Sequence, residues 1–175
     1  MNRQLTPDLL GRLLDEHGGA LVLFATQWTD SPDDCVQEAF IQLTRQARLP
    51  ENVAAWLFQV VRNRAISLAR SASRRRRHET LAASFLPACS GEPAENDPPV
   101  TAEQLAEALQ SLDDSQREVI VAHIWGGLGF EEIAAVVGAA TSTAHRRYEA
   151  GLRILRERLE SLCQPNLMAS IKTNP

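Results

Sequence analysis

Residues 128–159, LGFEEIAAVVGAATSTAHRRYEAGLRILRERL, constrain this chain more than any other stretch. Ile133, Ala134 and Val137 repeat at helical spacing, and Gly138 follows where a helix can end in the left-handed backbone conformation. Thr141, Ser142 or Thr143 can cap the next helix, whose Ala144, Tyr148, Leu152, Leu155 and Leu159 line one face. The opposite face carries Ser142, His145, Arg146, Glu149 and Arg153. A helix packed on one side and rich in hydrogen-bonding groups on the other suits the major groove of DNA. The stretch reads as a helix-turn-helix.

Its surroundings must then tolerate a nucleic-acid partner, although the chain of 175 residues has a formal net charge of −4. Divided along the sequence, the charge is uneven. Residues 1–78 hold 11 Arg against 8 acids, residues 79–104 hold 5 acids and no base, and residues 105–175 hold 7 bases against 9 acids. Naked duplex is expected to bind weakly, because little positive field favours counterion release. Local basic patches can act once a partner positions them. Of the 18 bases 17 are Arg, which suits bidentate phosphate and base contacts.

Residues 86–100, LPACSGEPAENDPPV, have the Pro, Gly and acid content of a linker. Both flanks carry helical patterns and no sustained strand alternation, so the expected fold is all-α: two small helical domains joined by a flexible acidic linker. Expected divisions are a domain over 1–80, a linker over 81–103, a second domain over 104–163 and a disordered tail over 164–175. In the first domain, Thr6-Pro7-Asp8 opens a helix through Leu9, Leu10, Leu13 and Leu14, which the Gly18-Gly19 pair can interrupt before the apolar segment 21–28. Ser31-Pro32-Asp33-Asp34 opens a second helix with Val36, Ala39, Phe40 and Leu43 inward. Pro50-Glu51 starts a third, with Trp56, Leu57, Val60, Val61, Ala65 and Leu68 as its buried stripe. Further on, Leu105 and Leu109 suggest a helix, and Asp113 with Gln116 makes a capping box ahead of Val119, Ile120 and His123.

Two further clusters stand out. Arg62, Asn63, Arg64, Arg70 and the run Arg74–Arg77 lie opposite the apolar stripe of the third helix, suited to following a nucleic-acid backbone. Cations at a helix C-terminus also complement its dipole, which is the plainer explanation. Asp33, Asp34, Gln37 and Glu38 share the outer side of the second helix, as dipole partners or as a protein-docking face. Catalytic carboxylates would want a basic or metal partner, and none is evident. The four histidines, His17, His78, His123 and His145, show no ligand spacing. Three separated cysteines, Cys35, Cys89 and Cys163, suggest neither a disulfide framework nor a metal pair, with Cys35 in the core. No catalytic residue, metal or cofactor is expected. With no apolar run near the roughly 20 residues that span a bilayer and no leader-like N-terminus, the expected location is the cytoplasm.

SPDDCVQEAFIQL, followed by LPENVAAWLFQVVRNRAISLARSASRRRRHE, resembles conserved region 2 of bacterial RNA polymerase sigma factors. LDDSQREVIVAHIWGGLGFEEIAAVVGAATSTAHRRYEAGLRILRERL resembles their region 4. The short acidic connection is similar to that of the extracytoplasmic-function, or group IV, subfamily. The resemblance covers residues 10–78 and 105–160. It implies that Asp33, Asp34, Gln37 and Glu38 dock on core RNA polymerase. It implies that Arg62, Asn63, Arg64, Ser67, Arg70 and Arg74 meet the downstream promoter element, where an extruded base is held in a protein pocket. Thr141, Ser142, Thr143, His145, Arg146 and Arg147 would read the upstream element. A protein of this kind binds core polymerase and promoter DNA, is a monomer when free, and has an anti-sigma factor as a family expectation.

Three departures accompany the resemblance. The segment between Thr44 and Val53 is short for the base-holding loop. Gly129 and Ala140 stand where Ser or Thr caps are usual, each weakening a helix start by about a kcal/mol or less. Ala144 and His145 replace a more common valine–lysine pair, leaving this face less basic. The alternative is a stand-alone dimeric helix-turn-helix regulator, which requires a receiver or ligand domain in residues 1–85.

Overall fold

The computed structural model describes residues 5–76 and 101–163, except for the side chains of 73–76, 102–103 and 162–163. Among these residues the chain forms seven helices and no strand: α1 Pro7–Ala25, α2 Pro32–Thr44, α3 Val53–Arg76, α4 Ala102–Gln110, α5 Asp114–Ile124, α6 Phe130–Val137 and α7 Thr141–Cys163. The acidic segment 81–100, the basic residue Arg77 and the tail 164–175 lie outside the described residues.

The start signals act mostly as the residues dictate. Thr6 Oγ1 accepts from the Leu9 N–H at 3.3 Å, with Pro7 in the first turn. Ser31 holds the corresponding place before α2 but makes no side-chain cap, leaving Pro32 and the two aspartates to favour that start. The third helix begins later than Pro50-Glu51 suggests. Asn52 Oδ1 caps α3 by accepting from the Ala55 N–H at 2.9 Å. Asp113 and Gln116 form the expected capping box, with bonds of 2.8 and 3.3 Å. Thr101 and Gln104 form another ahead of α4, at 3.2 and 2.9 Å.

Gly18 and Gly19 do not interrupt α1, which runs unbroken to Ala25. Each glycine costs a helix interior about 1 kcal/mol relative to Ala. Burial of Leu13, Leu21, Phe24 and Ala25 along one face of α1 offsets that cost.

α1, α2 and α3 pack as a three-helix unit around Phe24, Cys35, Ala39, Leu43, Leu57 and Val61. α4 to α7 form the second unit, in which Ala108, Leu109, Leu112, Ile120 and Leu155 make a small separate cluster. The two units also touch directly. α3 packs on α6 and α1 on α5, so that Val119, Ala122, Leu128 and Ile133 are continuous with the core of the first unit. Phe58 is the pivot of this seam. It is wholly buried, off the stripe expected for α3, and meets Phe24 edge-on with centroids 5.0 Å apart. A Cβ on Gly126 would lie 2.6 Å from the Phe58 Cζ, so only glycine admits so close an approach.

Candidate nucleic-acid and polymerase interfaces

α6 ends as its sequence demands. Gly138 adopts φ +68°, ψ 43°, a left-handed cap that a side chain strains, and the chain turns directly into α7. α7 begins at Thr141, so Ala140 holds the cap position and Thr141, Ser142 and Thr143 all fall in the first turn. None of the three is the cap. The absence of a capping hydroxyl at Ala140 and at Gly129 stands as the sequence suggests, but the second is compensated. The Glu132 carboxylate accepts from the Gly129 N–H at 2.7 Å.

α7 buries Ala144 and Leu155 and half-buries Tyr148, Leu152 and Leu159. Thr141, Ser142, His145, Arg146, Glu149 and Arg153 are exposed along the other side. His145 rests edge-on against Phe130 at 5.0 Å, and its Nδ1 lies 3.6 Å from Glu149, an ion pair only when the ring is protonated. His123 is half-buried beneath this layer, stacked on Phe130 at 4.7 Å and bonded to the Leu128 carbonyl at 2.8 Å. Thr143 and Arg147 are half-buried instead of fully presented. The Arg147 charge is felt by Asp113, which caps α5, and by Glu118 within it.

On α3, Asn63, Arg64, Ser67 and Arg70 are exposed on one face, while the Arg74 side chain lies outside the description. Arg62 departs from the expected pattern. Its side chain is 22% exposed and pairs with Glu118 of α5 at 3.0 Å, through both Nε and Nη2. Its guanidinium also lies over the Trp28 ring, 6.0 Å from the centroid. The helical period places Arg62 near the basic face but cannot reveal that a second unit covers that edge. Glu118 was equally invisible in the sequence. It is the buried charged residue among those described, and burial pushes its carboxyl above the usual range despite the opposing pull of Arg62.

The acidic side of α2 is as its spacing implies: Asp33, Asp34 and Gln37 are exposed, and Glu38 is half-buried, accepting from Gln42 at 3.1 Å. Ile41, 45% exposed and one turn beyond Gln37, adds an apolar patch that the charge pattern hid. Cys35, on the inner side of this helix, is fully buried, and burial pushes its thiol up. Residues 45–52 connect α2 to α3, and their last member, Asn52, also bonds Glu132 of α6. No group of acidic, His or Cys side chains among the described residues could hold a metal ion, and no described helix is long and apolar enough to cross a membrane.

Comparison with known proteins agrees with this geometry. Residues 13–75 match the Sigma-70 region 2 family and residues 102–155 the Sigma-70, region 4 family. The ECF RNA polymerase sigma factor SigL of Mycobacterium tuberculosis is 30% identical over 161 residues, covering 88% of this chain and 90% of its own. CarQ, an RNA polymerase sigma factor of Myxococcus xanthus, is 33% identical over 137 residues, 74% of this chain and 75% of its own. Among solved structures, the sigma factor RpoE of Bartonella quintana, in complex with the anti-sigma factor NepR, superposes with a TM-score of 0.67. That match has 26% identity and covers 89% of this chain and 98% of that one. CnrH, solved with the cytosolic domain of CnrY, shares the fold at a TM-score of 0.58. Seven helices in two units among the described residues, a basic α3, a helix-turn-helix on α6–α7, matches to both sigma-70 regions and a relative matched over 90% of its length place the chain in the ECF family of RNA polymerase sigma factors.

Proposed function

We propose that this sigma factor, which binds core RNA polymerase and directs promoter-specific initiation, divides that task among three helices. The exposed face of α2, Asp33, Asp34, Gln37 and Glu38 with Ile41 beside them, docks on core polymerase. The α3 face, with Arg62, Asn63, Arg64, Ser67, Arg70 and Arg74, meets the downstream element and its displaced strand. The α7 face, with Thr141, Ser142, Thr143, His145, Arg146 and Arg147, reads the upstream element in the major groove. The observation that carries this division is the α7 face itself: four polar side chains of its first two turns stand exposed while Ala144 between them is wholly buried.

Neither face is basic enough to hold a promoter alone, and fixing both on one enzyme makes the second contact effectively intramolecular. The protein acts as a cytoplasmic specificity subunit, a monomer when free, with no chemistry of its own. The units responsible are those expected over 1–80 and 104–163. Because RpoE and CnrH relatives were solved with NepR and CnrY, we include an anti-sigma factor among its partners.

Run-off transcription with purified core polymerase tests the division. Arg64→Ala should weaken promoters in a way that a pre-melted downstream element does not rescue, and Arg146→Ala should relax preference at upstream positions alone. Equal loss at every position from both variants would contradict the assignment.

A further inference from the structure

A carboxylate stands among the polar side chains of the outward face of α7. Glu149 is exposed in line with Ser142, His145, Arg146 and Arg153, and the roles assigned to that face leave it without one. A negative charge there repels the phosphate backbone, so it lowers affinity unless a base donates to it. We propose that Glu149 is a specificity-determining residue that accepts from the exocyclic amine of a cytosine in the upstream element. The inference rests on the assignment of the α7 face to that element.

The direction of the side chain is fixed from beneath the helix. Ala144 and Gly151 are both buried, and a Cβ on Gly151 would lie 2.5 Å from Ile120 Cδ1, so α7 seats too tightly on α5 to roll. Between them Tyr148 meets His123 edge-on at 4.8 Å and Phe130 at 5.3 Å. Glu149, the next residue, is turned away from that layer, with its side chain 65% exposed. The rise of an α-helix sets it about 12 Å along α7 from Thr141, comparable with the width of a major groove. Among the described residues its ion-pairing neighbour is His145, 3.6 Å away, and neither Arg146 nor Arg153 closes on it. His145 rests edge-on against Phe130 at 5.0 Å, which props the pair on the outward side of α7.

An ionised carboxylate only accepts hydrogen bonds. In the major groove cytosine presents its N4 amine with no acceptor beside it. Adenine sets N7 next to its N6 amine, guanine presents O6 and N7, and thymine presents O4 and a methyl group. Cytosine is therefore the base that Glu149 can engage without facing a second lone pair.

Promoters with a randomised upstream element, transcribed by core polymerase with the full chain and counted by sequencing, test this. Wild type should favour cytosine over thymine at one position by about tenfold. Glu149→Ala should cut that preference to about twofold or less while the other positions keep theirs. Glu149→Gln donates as well as accepts, so it should admit adenine at the same position, where an amide matches N6 and N7 together. Both variants alter an exposed side chain, and thermal melting checks that they remain folded. A wild-type protein without the cytosine preference, a preference that survives Glu149→Ala, an equal loss at every position, or a Glu149→Gln protein that still rejects adenine would each overturn the proposal. Failure of the α7 assignment reads differently: Arg146→Ala would then leave every upstream preference intact as well.

Discussion

The two helices assigned to DNA, α3 and α7, solve the same problem differently. α7 is a helix with one buried side, so its outward residues stand exposed as a set. α3 is buried toward α1 and α2 and again toward α6, which leaves a narrower polar face and claims Arg62 at its edge. A helix that serves one core can be read from its period. One that serves two cores hides part of its surface from any one-dimensional pattern.

The sharpest contrast is in stability. Phe58→Ala should cost about 3–5 kcal/mol, since a fully buried aromatic is lost where two units meet, and urea denaturation would measure it. Arg146→Ala on the exposed side of α7 should shift stability by no more than about 0.5 kcal/mol. A small loss at Phe58 would mean that α3 is no more committed than α7.

Next in size is function without stability. Arg146→Ala should reduce transcription from a responsive promoter about tenfold, within the roughly 1–3 kcal/mol that a base contact contributes. An unaffected promoter would move the reading face off α7. Gly138→Ala sharpens the comparison from the other side, because the turn that aims α7 depends on a positive φ. It should cost about 1–2 kcal/mol of stability by thermal melting. A neutral result would show that the turn relaxes to another backbone conformation.

The smallest effect is a pH dependence. Burial raises the Glu118 pKa above its ordinary value of 4.5, so the folded chain holds that proton more tightly than the unfolded chain. Its contribution to stability is therefore full below the ordinary value and is lost as pH rises through the higher, folded one. The stability of wild type relative to Glu118→Gln should decline across that rise. Parallel curves for the two proteins would remove Glu118 as the titrating group.

Much of this molecule was legible in its residues. The helices, the left-handed Gly138, the capping box at Asp113 and the exposed α7 face follow from local rules that one segment can satisfy alone. What the residues hid was relational. Phe58 sits off the α3 stripe because its partner is Gly126, 68 positions away in sequence. Arg62 read as a member of the basic face and Glu118 carried no signal until the fold set them together. Gly18 and Gly19 misled in the opposite sense, because packing along α1 outweighed their low helical propensity. Asn52 was passed over because Pro50 supplied a more familiar start signal, although its side chain is the one that caps α3.

Transcription as a function of the spacing between the two promoter elements measures most directly whether the faces on α3 and α7 act as a pair. With core polymerase and a promoter that the protein recognises, inserting or deleting about half a helical turn, roughly 5 base pairs, rotates one element away from its face. Transcripts should collapse with that change even though both sequences remain intact. Transcription indifferent to the spacing, or equally selective binding of duplex by the protein without polymerase, would contradict it.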